Sequence, residues 1–316
     1  MTQESISVLM PVRNGASFID KAMSMIVGSI SVGDEIIIIE DGSQDNSFEL
    51  LQRWSRDFPT INLVKTGGVG LIASLNLGIS IASNPWIARY DVDDRYSLRR
   101  LELQRSQLGT QNLVAIFSDY QVWFRDQFSI GIIPSPIFDS AIKVSLVKNS
   151  RTPHPSVIFN RAAALEVGSY RESDTFVEDM SLWLRLSRVG KFTSIPDKLL
   201  SYQIWKNSVT SLNSIAMRQA RAKLLNELNV MRTDLNYVQD NFGSIIKAYE
   251  NYPLSQERIL WLAYETLLAM SREPNHQANR TQFGRYISSR LLTPNYIAAL
   301  SSEFLKIIAR RLFRQI

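Results

Sequence analysis

The sequence predicts an α/β fold in which a mostly parallel central sheet is flanked by helices and followed by a C-terminal helical extension. Three observations carry this. Strand and helix signals alternate over about the first hundred residues, the apolar runs end on polar clusters, and after about Ser211 the pattern becomes almost wholly helical.

Taken in order, Ile6 to Val12 is a short apolar run that ends at the turn cluster Arg13-Asn14-Gly15. Phe18, Ile19, Ala22, Met23 and Ile26 then recur at helical spacing. Glu35 to Ile39 ends in four consecutive isoleucines, the pattern of a strand covered on both faces. It stops at Glu40-Asp41-Gly42-Ser43, and a helix with Phe48, Leu51 and Trp54 as its inner face follows. Ile61 to Lys65 predicts a third strand, Gly67-Gly68-Val69-Gly70 a turn that needs positive φ, and Leu71 to Ala82 a helix. Trp86 to Tyr90 predicts a fourth strand ending on Asp91-Val92-Asp93-Asp94, with a helix over Tyr96 to Gln107 beyond it. Strands separated by helices imply parallel pairing through right-handed crossovers.

From Leu113 the strands are longer and less regular, Leu113 to Phe117 and Tyr120 to Phe124. Pro134 and Pro136 precede a helix near Phe138 to Val147, and His154 to Phe159 predicts another strand. Helices are expected over Arg161 to Val167 and Glu178 to Val189, and a strand over Leu199 to Tyr202. The helical remainder is interrupted at Pro253, Pro274 and Pro294. The expected division is therefore 1–211 and 212–316.

Composition narrows the function. A chain of 316 residues with 45% hydrophobic and 10% aromatic residues can bury a full core. Cysteine is absent and histidine occurs only at 154 and 276, which excludes thiolate zinc sites, cysteine nucleophiles and His-rich metal sites. No basic start with an apolar core marks a signal peptide, and no run reaches the roughly 18 apolar residues of a membrane span. A cytoplasmic protein is expected. The net charge of +5 is not gathered into a basic face with exposed aromatics, so nucleic acid is not an expected partner.

In open α/β sheets ligands bind beyond the carboxyl ends of the strands. Arg13-Asn14, Glu40 to Ser43 and Asp91 to Asp94 all stand at such ends and should line one edge. Three carboxylates within four residues repel one another, and a divalent cation removes that penalty. Oxygen ligands alone favour magnesium or manganese over zinc. The plain alternative is a solvated turn with Asp94 capping the next helix; the convergence of strand ends weighs against it. Arg13-Asn14-Gly15-Ala16-Ser17 lacks the dinucleotide fingerprint, and Gly67 to Gly70 lacks the ending of a phosphate-binding P-loop.

Seven segments in order resemble a family of known proteins. They begin with Ser7 to Asn14, Glu35 to Ser43 with Asp45, Ser74 to Ile79, and Ile87 to Asp94 with Arg100, Leu101 and Gln104. His154-Pro155-Ser156, Val167 to Tyr170 and Glu178 to Leu186 complete the set. Over about residues 5 to 211 the chain resembles the family 2 glycosyltransferases of the GT-A fold, in the bacterial cell-surface polysaccharide and lipopolysaccharide group. The resemblance implies inverting transfer of a sugar from a nucleotide-diphosphate sugar, a UDP-sugar by expectation, to a glycan or lipid-linked acceptor. It makes about 1–110 the nucleotide-sugar half and 111–211 the acceptor half. Pro11, Val12, Arg13, Asn14, Glu40, Asp41, Gly42, Ser43, Asn76, Arg89, Asp91, Val92 and Asp93 would line the donor site. Asp91, Asp93 and Asp94 would serve a manganese or magnesium ion as the DxD motif, and Asp179 would be the general base.

Two departures stand out. Glu40-Asp41 replaces the usual Asp-Asp, and Gln203 and Trp205 stand where the family often has Arg and then His, the latter a metal ligand in some relatives. The last sixteen residues carry Lys306, Arg310, Arg311 and Arg314 against Glu303, with Leu305, Ile308, Ala309, Leu312 and Ile316 on one helical face. Such an end suits an anionic membrane surface, which would place the protein peripherally on the inner face of the cell membrane. Packing on the enzyme, or pairing in an oligomer, are the alternatives. Competing functions are sugar-phosphate nucleotidyl transfer, for which the first strand lacks a glycine-rich basic loop, and a non-catalytic nucleotide-sugar or glycan binder.

Overall fold

The computed structural model describes residues 4–124, 126–148, 152–205 and 213–227, all within one compact unit, Met1–Asn251. Four parallel strands form its first half: β1 (Ile6–Val12), β2 (Glu35–Asp41), β3 (Ile61–Thr66) and β4 (Trp86–Arg89), in the order β3-β2-β1-β4. The crossovers are helices α1 (Ala16–Val27), α2 (Ser47–Asp57) and α3 (Leu71–Ile81). The isoleucine run behaves as its pattern demands. Ile36 and Ile38 enter the core shared with Ile19, Met23 and Leu51, Ile37 and Ile39 the opposite core shared with Leu75 and Ile79, and all four are fully buried.

Beyond β4 the sheet becomes mixed. It continues through β8 (Ile158–Asn160), β6 (Leu113–Phe124) and β9 (Lys191–Ile204) to β5 (Arg95–Tyr96), while β7 (Phe128–Ile133) pairs with β6 as a hairpin. Pairing is antiparallel for β4 with β8, β8 with β6 and β9 with β5, and parallel for β6 with β9. Helices α4 (Arg100–Arg105), α5 (Asp139–Lys148), α6 (Arg161–Glu166), α7 (Glu178–Leu186) and α8 (Ser214–Glu227) complete the described elements.

Several expected boundaries are corrected. The two strands predicted over 113–124 are one, because β9 pairs along its whole length. The helix expected over Tyr96 to Gln107 shrinks to α4, since Arg95 and Tyr96 pair with Ser201 and Leu200 instead. His154 to Ser156 is a 3-10 turn, which leaves only Ile158–Asn160 as strand. Two buried polar clusters brace this half. Arg100 donates to the carbonyls of Arg89 and Val157 (both 3.0 Å) and to Gln104 Oε1 (3.0 Å). Gln104 in turn donates to the carbonyls of Ile116 and Ser156 (3.1 and 2.9 Å), so β4, β6 and the 154–156 turn hang on one pair of side chains. Arg105 and Asp34 form an ion pair at 2.5 Å with both side chains buried.

The expected boundary near Ser211 and the amphipathic end, Ser301 to Ile316, lie outside the described residues. Among the described residues no helix is long and apolar enough to cross a membrane.

The sheet edge is closely fitted at Gly42, which has φ +68 and a backbone so near Gly68 that a Cβ would sit 2.8 Å from its amide nitrogen. A left-handed conformation is unfavourable for an L-residue by roughly 1–2 kcal/mol. Gly42→Ala should therefore lower stability by about 2 kcal/mol in urea unfolding; an unchanged midpoint would show that the two loops are free to separate.

Candidate active site

Because β1 to β4 run parallel, their carboxyl ends share one edge, and the loops there are tied together before any ligand arrives. Asn14, with φ +53, donates its backbone N–H to Ser43 Oγ (2.9 Å) and accepts from Gln44 N at Oδ1 (2.8 Å). Gly15 N donates to Ser47 Oγ (2.8 Å) and Ala16 N to Asp45 Oδ2 (3.0 Å). Glu40 is fully buried and accepts from Ser43 N at 2.6 Å, while its second carboxylate oxygen has no hydrogen-bond partner among the described residues. Asp41 accepts from Thr66 Oγ1 (2.7 Å), Val69 N (2.6 Å) and Gly70 N (2.9 Å), which fixes the glycine turn whose Gly68 and Gly70 have φ +86 and +93. Burial pushes the Asp41 carboxyl up, but these bonds and the nearby Arg13 outweigh it and hold it below its ordinary range.

The chain leaving β4 forms the acidic ledge. Arg89, 2% exposed, pairs with Asp91 Oδ1 at 2.6 Å and also donates to the Tyr90 carbonyl. Tyr96 closes the turn: its Oη accepts from Asp91 N (2.6 Å) and donates to the Asp91 carbonyl (3.2 Å). The Arg100 guanidinium lies over the Tyr90 ring, 4.1 Å from its centroid. Val92 meets Gly15, where a Cβ would stand 3.0 Å from Val92 Cγ1, so the ledge packs directly on the β1–α1 loop.

The three carboxylates are not equivalent. Asp91 and Asp93 are partly exposed, whereas Asp94 is buried and accepts from Gln203 N at 2.7 Å. Among the described residues no three His, Asp or Glu side chains are grouped so that they could hold a metal ion. Asp94 supports the ledge from β9 instead. Burial, and then the charge of Asp91, push Asp93 up to about 6. Burial with Asp91 and Asp93 pushes Asp94 well above its ordinary value, and its Oδ2 has no hydrogen-bond partner among the described residues. A pair of carboxylates held against their own repulsion fits a hard divalent ion that completes its shell with water and phosphate.

The second acidic pair opens α7. Phe176 has φ +74, an unusual conformation for a bulky residue, where the chain turns into this helix. Met180 N donates to Asp179 Oδ1 at 2.6 Å. Burial, and then Asp179, push Glu178 up to about 7; burial also raises Asp179, against the bond from Met180 and the charges of Arg89 and Arg221. Arg89 lowers Asp93 and Asp94 as well as Glu178 and Asp179, so one buried cation acts on both acidic pairs.

Several singled-out residues prove to be supports. Asn76 is fastened to Tyr170: its amide donates to the Tyr170 carbonyl (2.9 Å) and accepts from Tyr170 N (3.0 Å). His154 Nε2 lies 2.7 Å from Tyr170 Oη, and burial, then Arg89, keep its imidazole neutral, with a pKa well below the ordinary range. Gln203, where the family often has Arg, holds Asp94 through its backbone and accepts from Asp126 N (3.2 Å) through its side chain. Trp205 packs on Phe18 of α1, ring centroids 5.1 Å apart. Tyr96, Tyr170 and Arg221 were given no role from the sequence. Arg100 and Gln104 stood out through the family resemblance, but their partners, 11 to 57 residues away, could not be read from it.

The raised carboxyls make a signed prediction. Asp93 binds its proton more tightly in the folded state than at its ordinary value of 3.8. Its contribution is therefore full below about pH 4 and is lost as pH rises through about 6. Without donor or divalent cation, the melting temperature should fall from about pH 4 to about pH 7, and Asp93→Asn should flatten part of that fall. Parallel pH profiles for the two proteins would contradict the assignment.

The chain as a whole has similar proteins among those already known. Residues 7–168, a little over half of the chain, match Glycosyl transferase family 2. An uncharacterized glycosyltransferase of Haemophilus influenzae is 24% identical over 284 residues, 84% of this chain and 87% of that protein. An Escherichia coli protein named UDP-Gal:alpha-D-GlcNAc-diphosphoundecaprenol beta-1,3-galactosyltransferase is 28% identical over 188 residues, 57% of this chain and 66% of its own. Among solved structures, the Pyrobaculum calidifontis mannosyltransferase in complex with GDP-Man and Mn2+ aligns with a TM-score of 0.54 at 15% identity, covering 90% of this chain and 85% of that one. S. aureus TarS in complex with UDP-GlcNAc aligns with a TM-score of 0.57 at 12% identity, covering 90% and 81%. The fold is thus the GT-A fold, and the chain belongs to glycosyl transferase family 2 and is a glycosyltransferase.

Proposed function

We propose that this enzyme transfers a sugar, with inversion, from a nucleoside diphosphate sugar to a glycan or lipid-linked acceptor in cell-surface polysaccharide assembly. The observation that carries this is that the buried Arg89, paired with Asp91, acts on both the Asp91/Asp93 ledge and the Glu178/Asp179 pair. Pro11 to Asn14 and Glu40 to Ser43 form the wall for base and ribose, with the free oxygen of Glu40 as a ready acceptor. Asp91 and Asp93 would hold Mn2+ or Mg2+, which when bound neutralises charge on the departing diphosphate. The nucleotide sugars and Mn2+ named for the structural neighbours, and the UDP-Gal and diphosphoundecaprenol named for the E. coli relative, support this assignment. A UDP-sugar is the donor favoured, and peripheral attachment to the inner membrane face through 301–316 would bring the site to a lipid-linked acceptor.

Asp179 is the general base. Its raised carboxyl makes it a better proton acceptor than an ordinary aspartate while its opposing charges keep it ionised. It takes the proton of the acceptor hydroxyl as that oxygen bonds to the anomeric carbon. The bond from that carbon to the diphosphate oxygen breaks on the opposite face, and its electron pair leaves with the diphosphate. Attack from the face opposite the leaving group inverts the configuration.

UDP-N-acetylglucosamine, UDP-galactose, UDP-glucose and GDP-mannose, each with Mn2+, form a direct panel for donor turnover. Asp179→Asn should keep the donor-induced thermal shift and lose about 100-fold or more of turnover, the usual contribution of a general base. Full turnover in that variant would remove Asp179 from the mechanism.

A further inference from the structure

Helix α8 lies beyond the residues that match the family and adds no strand to the sheet. It is nevertheless seated on the catalytic unit. Leu224 is 5% exposed in the core that contains Leu146 of α5 and Met180 and Trp183 of α7, and Ala220 and Leu225 pack against the same core. Arg221 stands three residues before Leu224, on the same helical face. It is partly buried, and its Nη2 donates to the Leu146 carbonyl at 3.5 Å. From there its charge reaches Asp179 in the first turn of α7.

We propose that Arg221 belongs to the active site as a positioning residue, holding the Asp179 carboxylate oriented and charged from a helix outside the family match. The proposal rests on Asp179 being the general base. The groups facing Asp179 are Arg89 from β4, Tyr170 from the loop after α6, Glu178 beside it on α7 and Arg221 from α8. Glu178 works against ionisation of its neighbour, and Tyr170 is held neutral by burial. Arg89 is already engaged by Asp91 at 2.6 Å, on the donor side. Arg221 therefore supplies Asp179 with a second cation, from α8. The interaction is mutual: burial lowers the Arg221 guanidinium from its ordinary value, and Asp179 opposes that shift. An arginine suits this task because its planar head keeps its charge when partly buried and can donate to a carbonyl at the same time.

The test uses the full chain and does not require the natural acceptor. Carboxyl 13C NMR, with Asp179→Asn to assign the signal, follows the titration of Asp179 in wild type, Arg221→Gln and Arg221→Lys. Glutamine retains donors toward Leu146 without the charge. In Arg221→Gln the Asp179 midpoint should rise by about one pH unit, a tenfold change in proton affinity, and Arg221→Lys should restore most of it. The acid limb of donor turnover should move up by the same amount, while the thermal shift produced by UDP-N-acetylglucosamine with Mn2+ stays unchanged. A midpoint equal to wild type in Arg221→Gln, or a loss of the donor-induced shift alongside any change, overturns the proposal. If Asp179→Asn itself retains turnover, the base assignment fails separately, because the NMR midpoint still judges the contact.

Discussion

The site depends on one buried cation. Arg89 closes β4 with its side chain 2% exposed, and its charge acts both on the carboxylates beyond β4 and on those that open α7. Two unit charges about 4 Å apart interact by roughly 4 kcal/mol at the effective dielectric of such places. Asp91, Asp93 and Asp94 crowd one turn, and Glu178 and Asp179 the start of α7, and in both places burial and mutual repulsion raise carboxyls that Arg89 lowers. The arginine offsets part of that repulsion and leaves the rest as a standing preference for a further cation. A buried ion pair contributes little to net stability; here its value lies in fixing where charge sits before the donor binds.

Around that centre, rigidity comes from short-range bonds of ordinary kinds. Asp41 fastens the glycine turn, and Asn14, Asp45 and Ser47 zip the β1 loop to the β2 loop. Arg100 and Gln104 hold β4 against β6 from below. A nucleotide would therefore meet a wall already formed, with little conformational freedom left to lose on binding. Gln203 and Trp205 fit the same account. One steadies Asp94 and the other packs on Phe18, so their positions are occupied by structural contacts.

Much of the first half was legible in the sequence because its signals are local. The isoleucine run after Glu35, the turn at Arg13-Asn14 and the glycine cluster each state their own conformation, and parallel topology follows from their alternation. The edge carrying Glu40, Asp41 and Asp91 to Asp93 followed in turn. What escaped depends on partners far along the chain. Tyr96 reads as helical until β9 offers it a strand partner, 154–159 reads as strand until the turn at His154 is seen, and Asn76 bonds 94 residues away. Asp94 could not be separated from its two neighbours by spacing; only the Gln203 amide distinguishes it. Arg221 gave no sign at all, since nothing in a helical pattern says which core receives it.

The central claim is that the Asp91/Asp93 ledge is built for a divalent cation carried by a nucleoside diphosphate sugar. Calorimetry of UDP-N-acetylglucosamine binding, with and without Mn2+ and in buffers of different ionisation heat near pH 6, measures this directly. Binding should strengthen markedly with Mn2+ and should release a proton, in line with an Asp93 carboxyl poised at about 6, and Asp93→Asn should lose both effects. Equal affinity without the ion, or binding that releases no proton, would contradict the account.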